Sequence, residues 1–398
     1  MKKVFILGAC RTPIGKMGGV LSSLSAVDLG SIVIKESLKR SGIPAEAIDH
    51  VYMGCVIQAG LGQNVARQAS LKAGLPVKTT AQTLNIVCGS GLDAVNSAAR
   101  MIQAGDADVV VAGGMESMSN APFAMMNGRY GYKMGSPMVN TPLIDTMVND
   151  ALWDASNNYH MGLTAENVAE KYGLSRNELD QFAVKSQDKA AAAIVDGRFK
   201  DEIVPVPIKC HKGDTVVDTD EGPRSGTTVE TLAKLKPAFK PYGIVTAGNS
   251  SGINDGAAAV VLVSEEKVEE MRLQPQAEWI DGALAGVDPY IMGIGPVEST
   301  RKLLKKLSIS IEDIDLVEAN EAFAAQSLAV KKELNIPENK LNINGGAIAL
   351  GHPVGASGCR ILVTLIHALK KQNKETGLAT LCIGGGMGCS TLIKRIEV

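Results

Sequence analysis

The sequence contains no CxxC pair and no cluster of cysteine and histidine at metal-ligand spacing; its seven cysteines, an odd number, are scattered. That excludes a zinc site and a disulfide framework, and points to free thiols in a reducing, cytoplasmic compartment. It also lacks a polybasic block, and its net charge is −2. Neither nucleic acid nor an anionic membrane surface is expected as a partner, so any anionic ligand must be met by local groups. No window approaches the roughly eighteen uninterrupted apolar residues of a membrane span. The opening MKKVFILGAC is too short in its apolar run for a signal peptide, and Arg11 breaks that run at once. A buried first strand is expected there. No GxGxxG opens a helix after that strand, which argues against a nicotinamide-dependent oxidoreductase.

What is plentiful is glycine, 42 residues of 398, within a chain that is 45% hydrophobic. That is the profile of a packed α/β protein of two or three domains with many close backbone approaches. The chain also repeats itself. Ile43, Glu46, Ile48, Asp49 and Val51 recur as Ile309, Glu312, Ile314, Asp315 and Val317. Each copy comes after a helical pattern, ESLKRSG or KLLKKLS, and leads into a strand-like run, VYMG or LVEA. Ser90-Gly91 pairs with Ser357-Gly358, and VAGGM at 111–115 with IGGGM at 383–387. The first copy carries a long insertion between GGMES and GAAAVVLVS, with helical patterns in AENVAEKYG and RNELDQFAVKSQDKAAAAIV. Two similar βαβ halves and one covering domain over the active face are expected.

Four stretches can carry chemistry. In LNIVCGSGLDAV, a buried strand over 84–87 and a helix from Gly89 would set Cys88 where unpaired N–H groups and the helix dipole lower a thiol pKa. By position alone, a space-filling buried cysteine is the more ordinary reading. In GGAIALGHPVGASG, His352 precedes Pro353 and is biased to extended backbone. A lone histidine is usually structural, but this one lies where the repeat pairs it with the Cys88 region. Cys382 in LCIGGGMGCS ends a strand before glycines able to form an anion nest, or it is a core thiol. Asn320 and Glu321 in EANEAFAAQ are catalytic polar groups or mere helix caps.

With CRTPIGK, GQNVARQA, VCGSG, AGGMESMS, HMGLTAEN, GNSSGINDGAA, NEAFA, GGAIALGHPVGASG and CIGGGMG in order, the chain resembles the thiolase family over essentially its whole length. It is most similar to the acetyl-CoA C-acetyltransferase (biosynthetic, acetoacetyl-CoA) branch. The resemblance implies an α/β fold of duplicated βαβαβαββ halves packed as a five-layer αβαβα core with an inserted loop domain. Residues 1–120 with 247–272 would form the first half, 121–246 the insertion that clamps CoA, and 273–398 the second half. Cys88 would be the acetyl-accepting nucleophile, His352 its base, and Cys382 the acid/base acting on the substrate α-proton. Asn320 would hold a water that, with His352 Nε2, makes one oxyanion site; the N–H groups of Cys88 and Gly384 would make the other. Leu152, His160, Met161, Arg224, Phe239, Ala247 and Ser251 fall at positions that contact CoA, with Met292 and Phe323 near the acyl end. Met161 and Met292 would narrow the pocket to short acyl groups.

On the same basis acetyl-CoA, acetoacetyl-CoA and CoA are the partners, with no separate cofactor or metal. GRYGYKMG at 128–135 resembles a loop that ties two dimers into a homotetramer. Ile86 and Asp93 flank the nucleophile where relatives often carry basic or neutral side chains, so a less positive field around Cys88 is expected. Met17 and Cys359 also depart from the common residues, and thiols at 359 and 389 are expected to add oxidation sensitivity. The competing readings are a 3-ketoacyl-CoA thiolase of fatty-acid degradation and a non-catalytic CoA- or lipid-binding protein. Cys382 argues against a ketoacyl synthase, which pairs its cysteine with His/His or His/Asn.

Overall fold

The computed structural model describes residues 2–131, 143–209 and 213–397. Its first half runs β1 (Val4–Arg11), α1 (Ala26–Ser41), β2 (His50–Gly54), α2 (Val65–Lys72), β3 (Thr80–Leu84), α3 (Ser90–Ala104) and β4 (Val109–Ser117). After the insertion, which carries α4 (Met161–Tyr172) and α5 (Arg176–Val195), β5 (Asn254–Ser264) completes that half. The second half runs β6 (Ala277–Gly286), α6 (Gly295–Leu307), β7 (Leu316–Ala319), α7 (Ala324–Glu333), α8 (Ser357–Gln372), β8 (Thr376–Ile383) and β9 (Met387–Arg395). The main sheet is ordered β7-β8-β9-β6-β1-β5-β4-β2-β3. The halves meet where Val4 of β1 pairs Trp279 of β6 in antiparallel register.

Strand periodicity builds the layers. Val110 and Ala112 of β4 enter a central cluster with Leu92 and Val95 of α3, Ile361 and Leu365 of α8, and Leu381 of β8. Val109 and Val111, pointing the other way, pack under α1 with Val33 and Ile34. A third cluster joins Leu303 and Leu304 of α6 and Val330 of α7 to Val317, Leu378 and Leu392. Helices therefore cover both outer faces, and α3 and α8 lie between the two half-sheets.

These central helices cross through the repeated Ser-Gly pair. A Cβ added at Gly91 would stand 2.9 Å from the Cys359 backbone nitrogen, and one at Gly358 would stand 2.4 Å from that of Leu92. The contact is reciprocal, as a two-fold demands, and only glycine fits it. The other glycine match is not structural. Val51 pairs Val111 in the first half and Val317 pairs Leu378 in the second. The partner of VAGGM in the second half is therefore 378–382, inside β8, while IGGGM begins at the strand's last residue.

The run LNIV is not a strand either. Strand β3 ends at Leu84, and α3 begins at Ser90 with Gly89 as its N-cap. The residues between make a tight turn. The insertion's two long helices fall where the helical period placed them. Helix α5 starts with a capping box, Ser175 and Glu178 each bonding the other's backbone N–H. Ala165 and Ala169 of α4 and Leu179, Phe182 and Ala183 of α5 pack in one cluster with Phe323 and Cys382, so the insertion covers the second half's loops.

Candidate active site

The turn that carries Cys88 is strained. Val87 takes φ +50°, left-handed backbone in a β-branched residue, at a cost of about 1–3 kcal/mol. Local polar groups hold it there. Val87 N–H donates to Asn85 Oδ1 at 2.9 Å, Ile86 N–H donates to Ser90 Oγ at 3.0 Å, and Ser90 Oγ donates to the Val87 carbonyl at 2.6 Å. Cys88 is left partly accessible.

Its thiol is not activated at rest. Burial of the sulfur pushes its pKa up to about 11; backbone N–H groups of Gly384 and of Cys88 itself oppose the rise, and the Glu116 carboxylate adds to it. The lowering expected from a helix start is thus reversed, because desolvation outweighs two donors and α3 begins two residues further on. The charge that bears on Cys88 is Glu116. Asp93, singled out in the sequence, acts instead on Cys389.

His352 is buried, and burial followed by the Arg360 charge pulls its pKa down to about 3, so it is neutral. Its tautomer is set by its neighbour. Ser357 Oγ donates its one proton to the Pro353 carbonyl at 2.9 Å, and must therefore accept from His352 Nδ1 at 2.6 Å. That leaves a lone pair on Nε2, 3.4 Å from Asn320 Nδ2. Arg360 Nη2 stands 3.5 Å from Asn320 Oδ1, which sets the amide's orientation. The His352 N–H donates to Asn254 Oδ1 at 2.9 Å. Ser357→Ala removes the tautomer lock, and kcat is expected to fall about 10-fold. Steady-state kinetics with unchanged KM for acetyl-CoA would check it.

Cys382 lies fully buried near the end of β8, with its thiol pushed up by burial and then by Cys88. Gly384 brings the two loops together: a Cβ there would stand 3.3 Å from Val87 Cγ1 and 3.8 Å from the Met161 sulfur. Gly385 and Gly386 come next at φ +87° and +89°, successive left-handed residues. Asn320 and Glu321 are not helix caps, since α7 begins at Ala324. Glu321 is instead a buried tie, accepting from Ser186 Oγ, Asn342 Nδ2 and the Ile348 N–H.

Met161, Met292, Phe323 and Cys382 share one buried cluster, against which Phe239 packs. His160 caps α4, its Nδ1 accepting from the Gly162 N–H at 3.0 Å, and stacks on Phe239 with ring centroids 4.8 Å apart. Leu152 and Cys88 pack on a second cluster that includes Val56, Ile57 and Val354, two residues beyond His352. Ser251 N–H donates to the Ala322 carbonyl at 3.0 Å. Arg224 and Ala247 are exposed and join neither cluster. The structure thus gathers Cys88, Cys382, Gly384, Leu152, Met161, Met292 and Phe323 about touching loops, joins Asn320 to His352, and leaves Arg224 and Ala247 exposed outside both clusters. Cys359 and Cys389 are fully buried with raised pKa values, which corrects their expected sensitivity to oxidation. Residues 132–135 of the GRYGYKMG loop lie outside the described residues.

Residues 4–266 match the family "Thiolase, N-terminal domain" and residues 273–395 "Thiolase, C-terminal domain". An acetyl-CoA acetyltransferase of Syntrophomonas wolfei is 55% identical over 397 residues, covering 99% of this chain and 100% of the relative. The Bacillus anthracis acetyl-CoA acetyltransferase structure superposes with a TM-score of 0.97 at 46% identity, covering 100% of this chain and 99% of the other. Human mitochondrial 3-ketoacyl-CoA thiolase does so at 0.96 and 42%, covering 99% of each chain.

Proposed function

The chain belongs to the thiolase family, and from that premise we propose that it is an acetyl-CoA C-acetyltransferase that condenses two acetyl-CoA into acetoacetyl-CoA and CoA, and runs the reverse thiolysis. His352 Nε2 takes the Cys88 proton as the sulfur attacks the acetyl carbonyl; the carbon–sulfur bond to CoA breaks, and CoA leaves with a proton from Cys382. The Cys382 thiolate then removes an α-proton from a second acetyl-CoA, whose carbanion attacks the acetyl group on Cys88. The new carbon–carbon bond expels the Cys88 sulfur, which regains its proton from His352. Neutral resting groups suit this sequence, since each proton moves only when a substrate carbonyl is present to receive charge. In the resting state the N–H groups of Cys88 and Gly384 bond the Cys88 sulfur, which sets them beside the position where the oxygen of an acetyl group on that sulfur gathers charge. Protonated His352 Nε2, together with a water held by Asn320, is the donor set for the other oxyanion.

The observation that carries the reading is the meeting of Cys88 with the loop of Cys382 and Gly384, under a cover built from the insertion. Leu152, His160, Met161, Arg224, Phe239, Ala247 and Ser251 form the CoA path in this reading, and Met292 and Phe323 close its acyl end. Residues 1–120 with 247–272 and residues 273–398 are the two site-forming halves, and 121–246 the clamp. Exposed Phe123 and Leu143, on strands paired beside the loop that resembles a tetramer tie, support a homotetramer. No helix among the described residues is long and apolar enough to cross a membrane, and the free thiols suit a cytoplasmic enzyme.

A 3-ketoacyl-CoA thiolase is the second reading, because a thiolase of that name shares the fold almost as closely. Buried Met161 and Met292 favour the first. In thiolysis, kcat/KM for acetoacetyl-CoA is expected to exceed that for a long-chain 3-ketoacyl-CoA by at least about 100-fold, the discrimination a filled apolar pocket gives. Equal or better turnover of the long chain would reverse the assignment.

A further inference from the structure

Glu116, the penultimate residue of β4, is fully buried, yet among the described residues the groups that chiefly act on its charge include no cation. Its oxygens are satisfied by backbone instead. Oε2 accepts from the Val56 N–H at 3.0 Å and the Gly355 N–H at 2.9 Å; Oε1 accepts from the Ile57 N–H at 3.2 Å, with the Cys55 thiol at 3.7 Å. Both oxygens must accept, so the site asks for a carboxylate; an amide would turn its NH2 against a backbone donor.

The three donors belong to two loops that matter for the reaction. Val56 and Ile57 belong to the wall on which Cys88 packs. Gly355 lies three residues beyond His352 and, at the 267-residue offset of Ser90 to Ser357, is the two-fold counterpart of Cys88. A Cβ at Gly355 would stand 2.6 Å from Glu116 Oε2, so a side chain there would push the carboxylate away. We propose that Glu116 is a positioning residue of the acetyl transfer, clamping the loop of His352 onto the wall behind Cys88 through the Gly355, Val56 and Ile57 amides.

The inference rests on the roles proposed above for Cys88 and His352. Burial lifts the Glu116 carboxyl to about 7, so above that pH the clamp leaves a negative charge acting on Cys88, which opposes its ionisation; among the described residues the Cys55 thiol also faces Glu116, and the Cys382 thiol faces Cys88. Position and charge can therefore be read separately, in Glu116→Gln and Glu116→Asp. E116Q is expected to lower kcat about 10- to 100-fold, the scale of a misplacement of about 1 Å. It should change KM for acetyl-CoA little, and shift Cys88 alkylation by iodoacetamide to lower pH. E116D keeps the charge but loses reach, so kcat should fall by a similar factor while alkylation stays at its original pH. A folded variant of either kind with wild-type kcat would overturn the proposal; should E116Q not fold, the kcat of E116D decides. Wild-type protein incubated with acetyl-CoA is mapped alongside. If its Cys88 gains no acetyl group, the reaction itself has been misread; if it does and the variants turn over normally, only the clamp is wrong.

Discussion

Cys88→Ser is expected to lower turnover in both directions by about 10⁴- to 10⁶-fold, the range seen when a covalent nucleophile is removed. A serine hydroxyl fits the same turn, and the strain at Val87, the Gly384 amide and the neutral imidazole all remain, so binding of CoA thioesters should survive. What is lost is the sulfur. A hydroxyl is far less acidic than even a thiol raised to about 11, and one neutral histidine cannot make up the difference. Steady-state rates together with a CoA-binding titration check this. A large loss of rate with binding retained is the expected pair. Turnover within tenfold of wild type would place the nucleophile elsewhere.

Cys382→Ser should divide the reaction in two. The α-proton of the second acetyl-CoA then has no thiolate base, and condensation is expected to fall about 10²- to 10⁴-fold. The first half-reaction asks less of residue 382, because departing CoA is a stable thiolate that needs little protonation. Acetylation of Cys88 should therefore continue at nearly its original extent. Two readouts separate the steps: acetyl incorporation by mass spectrometry, and exchange of the acetyl-CoA methyl hydrogens with solvent deuterium. Incorporation with exchange abolished is the expected pattern. Loss of both would mean that Cys382 supports the Cys88 loop rather than moving the substrate proton, a real alternative given how closely residues 382–384 pack on Val87.

Much of this was legible in one chain because the informative patterns are local. The apolar run before Arg11 and the helical period of the insertion's two long helices depend on neighbours within a turn or two, and the repeat at Ile43 and Ile309 is read by matching residue types in order. Cys88 and His352 lie in short glycine-rich loops and Cys382 lies at the end of a strand just before one, and glycines mark where backbone must come close. Three features were hidden for the opposite reason. The sign of the Cys88 shift depends on what buries its sulfur, and the packing around it comes from residues near 56, 152 and 354, far away in sequence. Asp93 lies only five residues from Cys88, but it sits one helical turn into α3, where its charge reaches Cys389 instead. Glu116 reads as the tail of a strand, since its partner Gly355 is 239 residues on. VAGGM and IGGGM misled in another way: similar letters serve a strand interior in one half and a loop in the other.

The central claim is that one thioester exchange takes place on Cys88 before any carbon–carbon bond forms. Its most direct test mixes the protein with a small excess of acetyl-CoA, quenches within a turnover, and maps the acetyl group by peptide mass while counting released CoA. One acetyl group per chain on the Cys88 peptide, matched by one CoA, is the expected result. Acetoacetyl-CoA formed while Cys88 stays unmodified would contradict it.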